Sequence, residues 1–182
     1  MGLSGILMVK GTSYENTNQF AGQDLYGTLL SENVIGVIHD HFVTFYLDMD
    51  IDGSDNSFVK VNLQRQMTSR GESPRKSYLK AVKKVAKTEK EAQIKLKLYD
   101  PSEFHIVNPS VKTRVGNPVG YKVVPAATAA SLLDLDDPPQ RRGAFTNNQI
   151  WVTPYNRSEE WAGGQFVYQS HGEDTLQTWS DR

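Results

Sequence analysis

Ile38-His39-Asp40-His41-Phe42-Val43-Thr44-Phe45-Tyr46-Leu47-Asp48-Met49-Asp50-Ile51-Asp52-Gly53 carries the densest ligand chemistry in the chain and its plainest strand composition. With Val34, Ile35 and Val37 ahead of it, the first half is rich in β-branched and aromatic residues, which favour strand over helix. The composition predicts one long strand over 33–47. Successive side chains on a strand alternate faces, so His39 and His41 are expected to point the same way. Two imidazoles on one face are two nitrogen ligands for a metal ion. They are equally two ordinary histidines, because two ligands do not complete a site. Asp48, Asp50 and Asp52 follow at the same spacing and run into Gly53.

The Asp-x-Asp-x-Asp-Gly run matches the start of a helix–loop–helix calcium loop, but the rest of that motif is missing. Val59 occupies the twelfth position, where a bidentate Glu is required, and strand composition precedes the loop where a helix belongs. A different oxygen-ligand site using Asp48, Asp50 and a backbone carbonyl is compatible with the residues. So is a solvent-facing acidic turn.

Outward from this stretch, strand signals separated by turn chemistry dominate. The expected strands are 5–9, 25–30, 57–67, 93–99, 104–107, 121–124, 149–155 and 165–168. In 93–99, Ile94, Leu96 and Leu98 are expected inward, with Lys95 and Lys97 outward. Asn108-Pro109 reads as a turn, and 68–77 as an exposed loop. The lysine-rich 78–92 reads as a solvated helix turn or an edge strand. The one plausible short helix is 126–133, leading to the acidic loop at 134–139. No linker or repeat divides the chain. Together these predict an all-β antiparallel β-sandwich with little helix.

The 182 residues suffice for one domain with a core, and 20 basic against 21 acidic residues give no overall charge bias. Neither nucleic acid nor an anionic membrane is implied as a general partner. No apolar run approaches the ~20 residues of a membrane helix. The absence of cysteine leaves only nitrogen and oxygen donors for a metal. His105, between Phe104 and Ile106, reads as structural, and His171 as a loop residue. Asn156-Arg157-Ser158 is a glycosylation triplet, making Asn156 a candidate acceptor if the chain is secreted. Trp151, Trp161 and Trp179 would be the basis for a carbohydrate-binding sandwich, although tryptophans are more often core.

Ile38 to Phe42 followed by Tyr46 to Gly53 resembles the copper-containing, topaquinone-dependent primary-amine oxidases, the plant type in particular. Leu3 to Leu7, Tyr26 to Leu30, Val115 to Tyr121, Arg142 to Asn147, Ile150 to Thr153 and Trp161 to Gly164 resemble the same family in the same order. The resemblance implies a β-sandwich catalytic domain of a homodimer, acting on a primary amine and dioxygen. The products are an aldehyde, ammonia and hydrogen peroxide, and the plant type suggests a diamine such as putrescine. It implies a topaquinone made from a tyrosine and a copper ion held by three histidines. His39 and His41 would be two of those ligands. Asp48, Asp50 and the Met49 carbonyl would belong to a second cation site, for calcium or manganese.

The family's Asn-Tyr-Asp or Asn-Tyr-Glu triplet, which supplies the quinone, does not occur in the sequence. By the resemblance, it and the catalytic Asp lie before Leu3, and the third copper histidine and remaining carboxylate lie after Arg182. Residues 1–182 are therefore expected to be a partial catalytic domain, truncated at both ends and inactive alone. The competing reading is a non-catalytic truncated paralogue that binds metal or pairs with a full-length subunit. Relatives of this type suggest a peroxisomal or an extracellular, cell-wall location.

Overall fold

The computed structural model describes residues 8–20, 26–97, 99–100, 102–125 and 130–157. The chain divides into two compact units, Met1–Val43 and Thr44–Arg182. Among the described residues there are seven strands, all paired antiparallel, two short α-helices and two 3-10 turns.

The first unit holds β1 (Val9–Gly11), β2 (Gly27–Ser31) and β3 (Val34–Val37) in the order β1-β3-β2. The β2–β3 turn contains Asn33 at φ 61°, a left-handed conformation that asparagine tolerates better than most residues. Asn33 also ties the turn back to the chain after β1. Its side-chain amide donates to the Thr12 carbonyl at 3.1 Å, and its backbone N–H donates to the Tyr14 carbonyl at 2.8 Å. The inter-strand bonds continue through Val37 N–H to Met8 O and Ile38 N–H to Tyr26 O, each at 3.0 Å.

The predicted long strand over 33–47 is corrected here. β3 ends at Val37, and residues 38–50 have no regular secondary structure. Strand propensity describes how well a side chain fits a pleated, partnered surface, and it cannot supply the partner. Among the described residues the ladder bonds run out at Ile38.

The second unit is built on β4 (Ser57–Met67), β5 (Ser77–Val85), β6 (Ser102–Lys112) and β7 (Pro118–Val123), in the order β5-β4-β6-β7. β4 covers the span expected from the sequence. The lysine-rich segment resolves into the edge strand β5, whose charges suit an edge exposed to water, and then α1 (Glu89–Ala92). Thr88 caps α1, accepting the Glu91 N–H at 3.2 Å, while the Glu91 carboxylate accepts the Lys87 N–H at 2.8 Å. This is a close variant of a capping box, in which the carboxylate takes the N–H of the residue before the cap instead of the cap's own. Apolar side chains are buried on both faces of the sheet, Val59 and Val61 on one and Phe58 on the other. Phe58 and Phe104 stack in parallel planes, 6.3 Å between ring centres, and pack with Ala92, Ile94, Ile106 and Val123.

Four further expectations change. Among the described residues the 93–99 segment forms a single bridge, Ile94 to Ile150; Ile94 is buried, Leu96 half-buried and Lys95 and Lys97 exposed, as expected, while Leu98 lies outside the described residues. The same bridge is the only pairing in 149–155 among the described residues. Asn108-Pro109 lies inside β6, at a register irregularity between Asn108 and Lys112, instead of turning the chain. Residues 130–133 are not helical; α2 (Pro138–Arg142) begins in the last two residues of the stretch expected as an acidic loop and runs past it. Pro138 suits a first-turn position because a helix start has no partner for its N–H. Residues 126–129, the early part of the 5–9 strand and the whole of 165–168 lie outside the described residues.

A polar cluster ties β4 to the approach to β6. The Asp100 carboxylate accepts from the Ser102 hydroxyl at 2.7 Å, the Lys60 ammonium at 3.2 Å and the Asn62 amide at 3.2 Å. The Ser102 hydroxyl foremost, with Lys60 and Asn62, holds the Asp100 pKa below the usual aspartate value, against an opposing push from partial burial. A carboxyl lowered on folding contributes stability above its unfolded pKa, about 3.9, and that contribution is lost as pH falls through the lower folded value. Asp100→Asn should therefore cost about 0.5–1 kcal/mol at neutral pH, this cluster being partly exposed. It should also blunt the loss of stability below about pH 4. Urea midpoints at neutral and acid pH check both expectations.

A Cβ on Gly27 would lie 1.9 Å from the Gly36 carbonyl oxygen, whereas one on Gly11 would meet nothing within 4 Å. Gly27→Ala must push β2 from β3 and should cost about 1–3 kcal/mol. Gly11→Ala should lower the thermal midpoint far less.

Candidate metal centre

The end of β3 delivers the histidines. His39 Nδ1 lies 2.7 Å from the Val37 carbonyl oxygen, which can only accept, so Nδ1 carries the proton and Nε2 presents its lone pair. His39 Nε2 and His41 Nε2 are 2.9 Å apart, with ring centres 4.7 Å apart and planes at 63°. Both rings are exposed. The expected convergence is thus present without the expected strand, since an extended backbone sends residues two apart to one side even where no neighbour pairs with it.

The spacing suits a chelated ion. Two nitrogens each ~2.05 Å from one metal and ~90° apart, as in a tetragonal copper site, lie ~2.9 Å from each other. A backbone carbonyl fixing the tautomer of a ligating imidazole is the usual outer support of such a ring. Two nitrogens remain an incomplete set: among the described residues no group of three His, Asp or Glu side chains gathers to hold a metal.

The acidic turn belongs to the second unit. Asp48 and Asp50 are exposed, Met49 is half-buried and Ile51 is buried. The chain then turns through Asp52 at φ 49° and Gly53 at φ 124°. Two asparagines hold it. Asn108, 3% exposed, donates its amide to the carbonyls of Ile51 at 2.9 Å and Asp52 at 3.0 Å. Its oxygen accepts the N–H groups of Ser110 and Val111. Asn56 accepts the Ile51 N–H and donates to the Gly53 carbonyl at 2.8 Å. The calcium-loop motif fails as expected, because Val59 is buried in β4.

His105 makes a surface pair instead of a site, with its Nε2 3.0 Å from Glu103, which also binds Lys122 at 2.6 Å. The Lys122 ammonium first, then the His105 ring, holds the Glu103 carboxyl below its ordinary pKa. Trp151 donates its indole N–H to the Phe145 carbonyl at 2.8 Å and is half-buried, as a packing residue would be. Asn156 is half-buried; Ser158, His171, Trp161 and Trp179 lie outside the described residues. Asn56 and Asn108 escaped the sequence reading. Asn-Pro signals a turn, and nothing in a periodicity marks an amide buried for its hydrogen bonds.

The comparisons with known proteins agree with one another. All residues, 1–182, match the model of the copper amine oxidase enzyme domain. The chain is 69% identical over 181 residues to the Arabidopsis thaliana copper-containing amine oxidase gamma 1, covering 98% of this chain and 25% of the relative. It is 51% identical over 178 residues to the Pisum sativum primary amine oxidase, covering 98% of this chain and 26% of that protein. The chain thus spans about a quarter of the length of these relatives. The crystal structure of a copper-containing benzylamine oxidase from Hansenula polymorpha superposes with a TM-score of 0.72 at 24% identity, over 92% of this chain and 25% of that one. That likeness shows the fold, in the antiparallel β-sandwich class expected from the sequence.

Asn108 makes all four hydrogen bonds its amide allows. Asn108→Ala should leave the Ile51 and Asp52 carbonyls without their donor and cost about 2–3 kcal/mol. Urea unfolding measures it. Asn108→Asp, which replaces a donor with a second acceptor, should cost at least as much at neutral pH.

Proposed function

Because the chain belongs to the copper amine oxidase family, we propose that it supplies two copper ligands, His39 and His41, to a primary-amine oxidase. The reaction is oxidation of a primary amine by dioxygen to an aldehyde, ammonia and hydrogen peroxide, with a diamine such as putrescine as the substrate class. The observation that carries this reading is the 2.9 Å approach of the two Nε2 atoms, with one tautomer set by the Val37 carbonyl.

His39 donates Nδ1–H to the backbone and turns its Nε2 lone pair outward. His41 brings the second Nε2 to the same point. Bound copper would supply the redox chemistry with which the family makes its topaquinone and reduces oxygen. In the second unit, Asp48 and Asp50 offer carboxylates and Met49 a carbonyl, all oxygen donors suited to a hard cation such as calcium or manganese. Ligands outside these residues complete both sites.

The sequence contains no Asn-Tyr-Asp or Asn-Tyr-Glu triplet, so these 182 residues do not turn over amines by themselves. Oxidation belongs to a polypeptide that joins them to the quinone, the base and the third histidine, and that acts as a homodimer. Two Arabidopsis relatives at 48% identity are named as peroxisomal, which supports that compartment beside an extracellular, cell-wall one.

Cu(II) titration followed by electron paramagnetic resonance tests the ligand assignment. The chain should bind copper weakly with a nitrogen-coordinated signal, and the double variant His39→Ala, His41→Ala should lose it. An unchanged signal would place the copper elsewhere. Incubated with putrescine, the 182 residues should release no more peroxide than a heat-killed control.

A further inference from the structure

β4 pairs with β6 only over 57–62, whereas its pairing with β5 runs on to Met67 and Ser77. Beyond residue 62, among the described residues, β4 pairs with β5 alone, and the two continue as a ribbon. Between residues 65 and 83 the ribbon carries Arg65, Arg70, Arg75, Lys76, Lys80 and Lys83 against the single acid Glu72, in a chain of net charge -1. At its end the Thr68 N–H donates to the Lys76 carbonyl at 3.1 Å, and the Thr68 hydroxyl donates to the Arg75 carbonyl. Within that closure, Ser69 to Glu72 form a turn with the Glu72 N–H on the Ser69 carbonyl at 3.2 Å and Gly71 at φ 91°. Residues 69 to 76 are all exposed.

Ser73-Pro74-Arg75-Lys76 leaves that turn as an exposed segment outside any strand or helix. Proline biases the residue before it to extended backbone and has no N–H to leave unpaired in a cleft. An exposed acceptor serine, a proline next to it and a lysine three residues on are the features that proline-directed serine/threonine kinases recognise. We propose that Ser73 is a phosphorylation site for a kinase of that class. The Ser73 oxygen attacks the γ-phosphorus of ATP. The new O–P bond forms as the bond to the bridging β–γ oxygen breaks, ADP leaves, and the hydroxyl proton passes to the kinase's carboxylate base.

The loop is suited to keep the product. The Ser73 oxygen already accepts the Arg75 N–H at 3.1 Å. A phosphate there brings three strong acceptors beside that N–H, and Arg70, Arg75 and Lys76 are the adjacent cations. The modification also takes about two positive charges off the most basic element of the chain.

The test incubates the full folded chain with ATP and a purified proline-directed kinase, and reads phosphate by intact mass and site mapping. One phosphate is expected, on Ser73. Ser73→Ala should abolish it, Pro74→Ala should reduce it at least tenfold, Lys76→Ala should slow it several-fold, and Ser69→Ala should leave it unchanged. These loop variants touch no core residue, so melting curves should match the parent. Phosphate on other serines with Ser73 unmodified would overturn the proposal. So would modification of a 68–78 peptide with none on the folded chain, because the loop would then not be accessible as the structure has it.

Discussion

A single buried amide holds the acidic turn to the sheet. Asn108 sits on β6 with its side chain almost wholly removed from water, and a polar group in that position is destabilising unless every bond is made. It makes them all, two to carbonyls of the turn and two from N–H groups of its own strand. The strand irregularity after Asn108 and the left-handed turn at Asp52 and Gly53 are therefore two ends of one constraint. The turn adopts its shape where Asn108 can reach its carbonyls. Asp48 to Asp50, just before it, take their placement from that anchor.

The histidines depend on a lighter device. β3 stops where its ladder bonds stop, and the first residue beyond the ladder is His39. The Val37 carbonyl, two residues back, accepts from the ring and fixes which nitrogen faces outward. Two exposed rings held this way bring their Nε2 atoms together facing outward, the arrangement on which the proposed copper ligation rests. Imidazole nitrogen is a preferred donor for copper.

Much of this was legible in the residues. Alternation in 57–67 marked a half-buried strand, and β4 occupies that span. The His-x-His spacing marked a shared direction, and the rings meet. What was not legible has a common cause in dependence on a distant partner. The 38–47 run has strand composition but no ladder, and 93–99 has strand alternation with one bridge. Asn108-Pro109 has turn chemistry but lies in a strand, because proline needs only to avoid a ladder donor position, as a bulge allows. Asn108 itself gave no signal, since burial of an amide is decided by carbonyls more than fifty residues away in sequence.

The exposed apolar side chains around the histidines follow from the same dependence. Ile38, Phe45 and Leu47 are each more than two-thirds exposed, a costly arrangement for residues that fit a covered, pleated surface. The histidine geometry does not depend on that surface being covered. Its determinants are the end of β3, the Val37 carbonyl and the two-residue spacing, all within six residues of sequence. The approach of the two rings is thus set by short-range bonds, independently of long-range pairing around them.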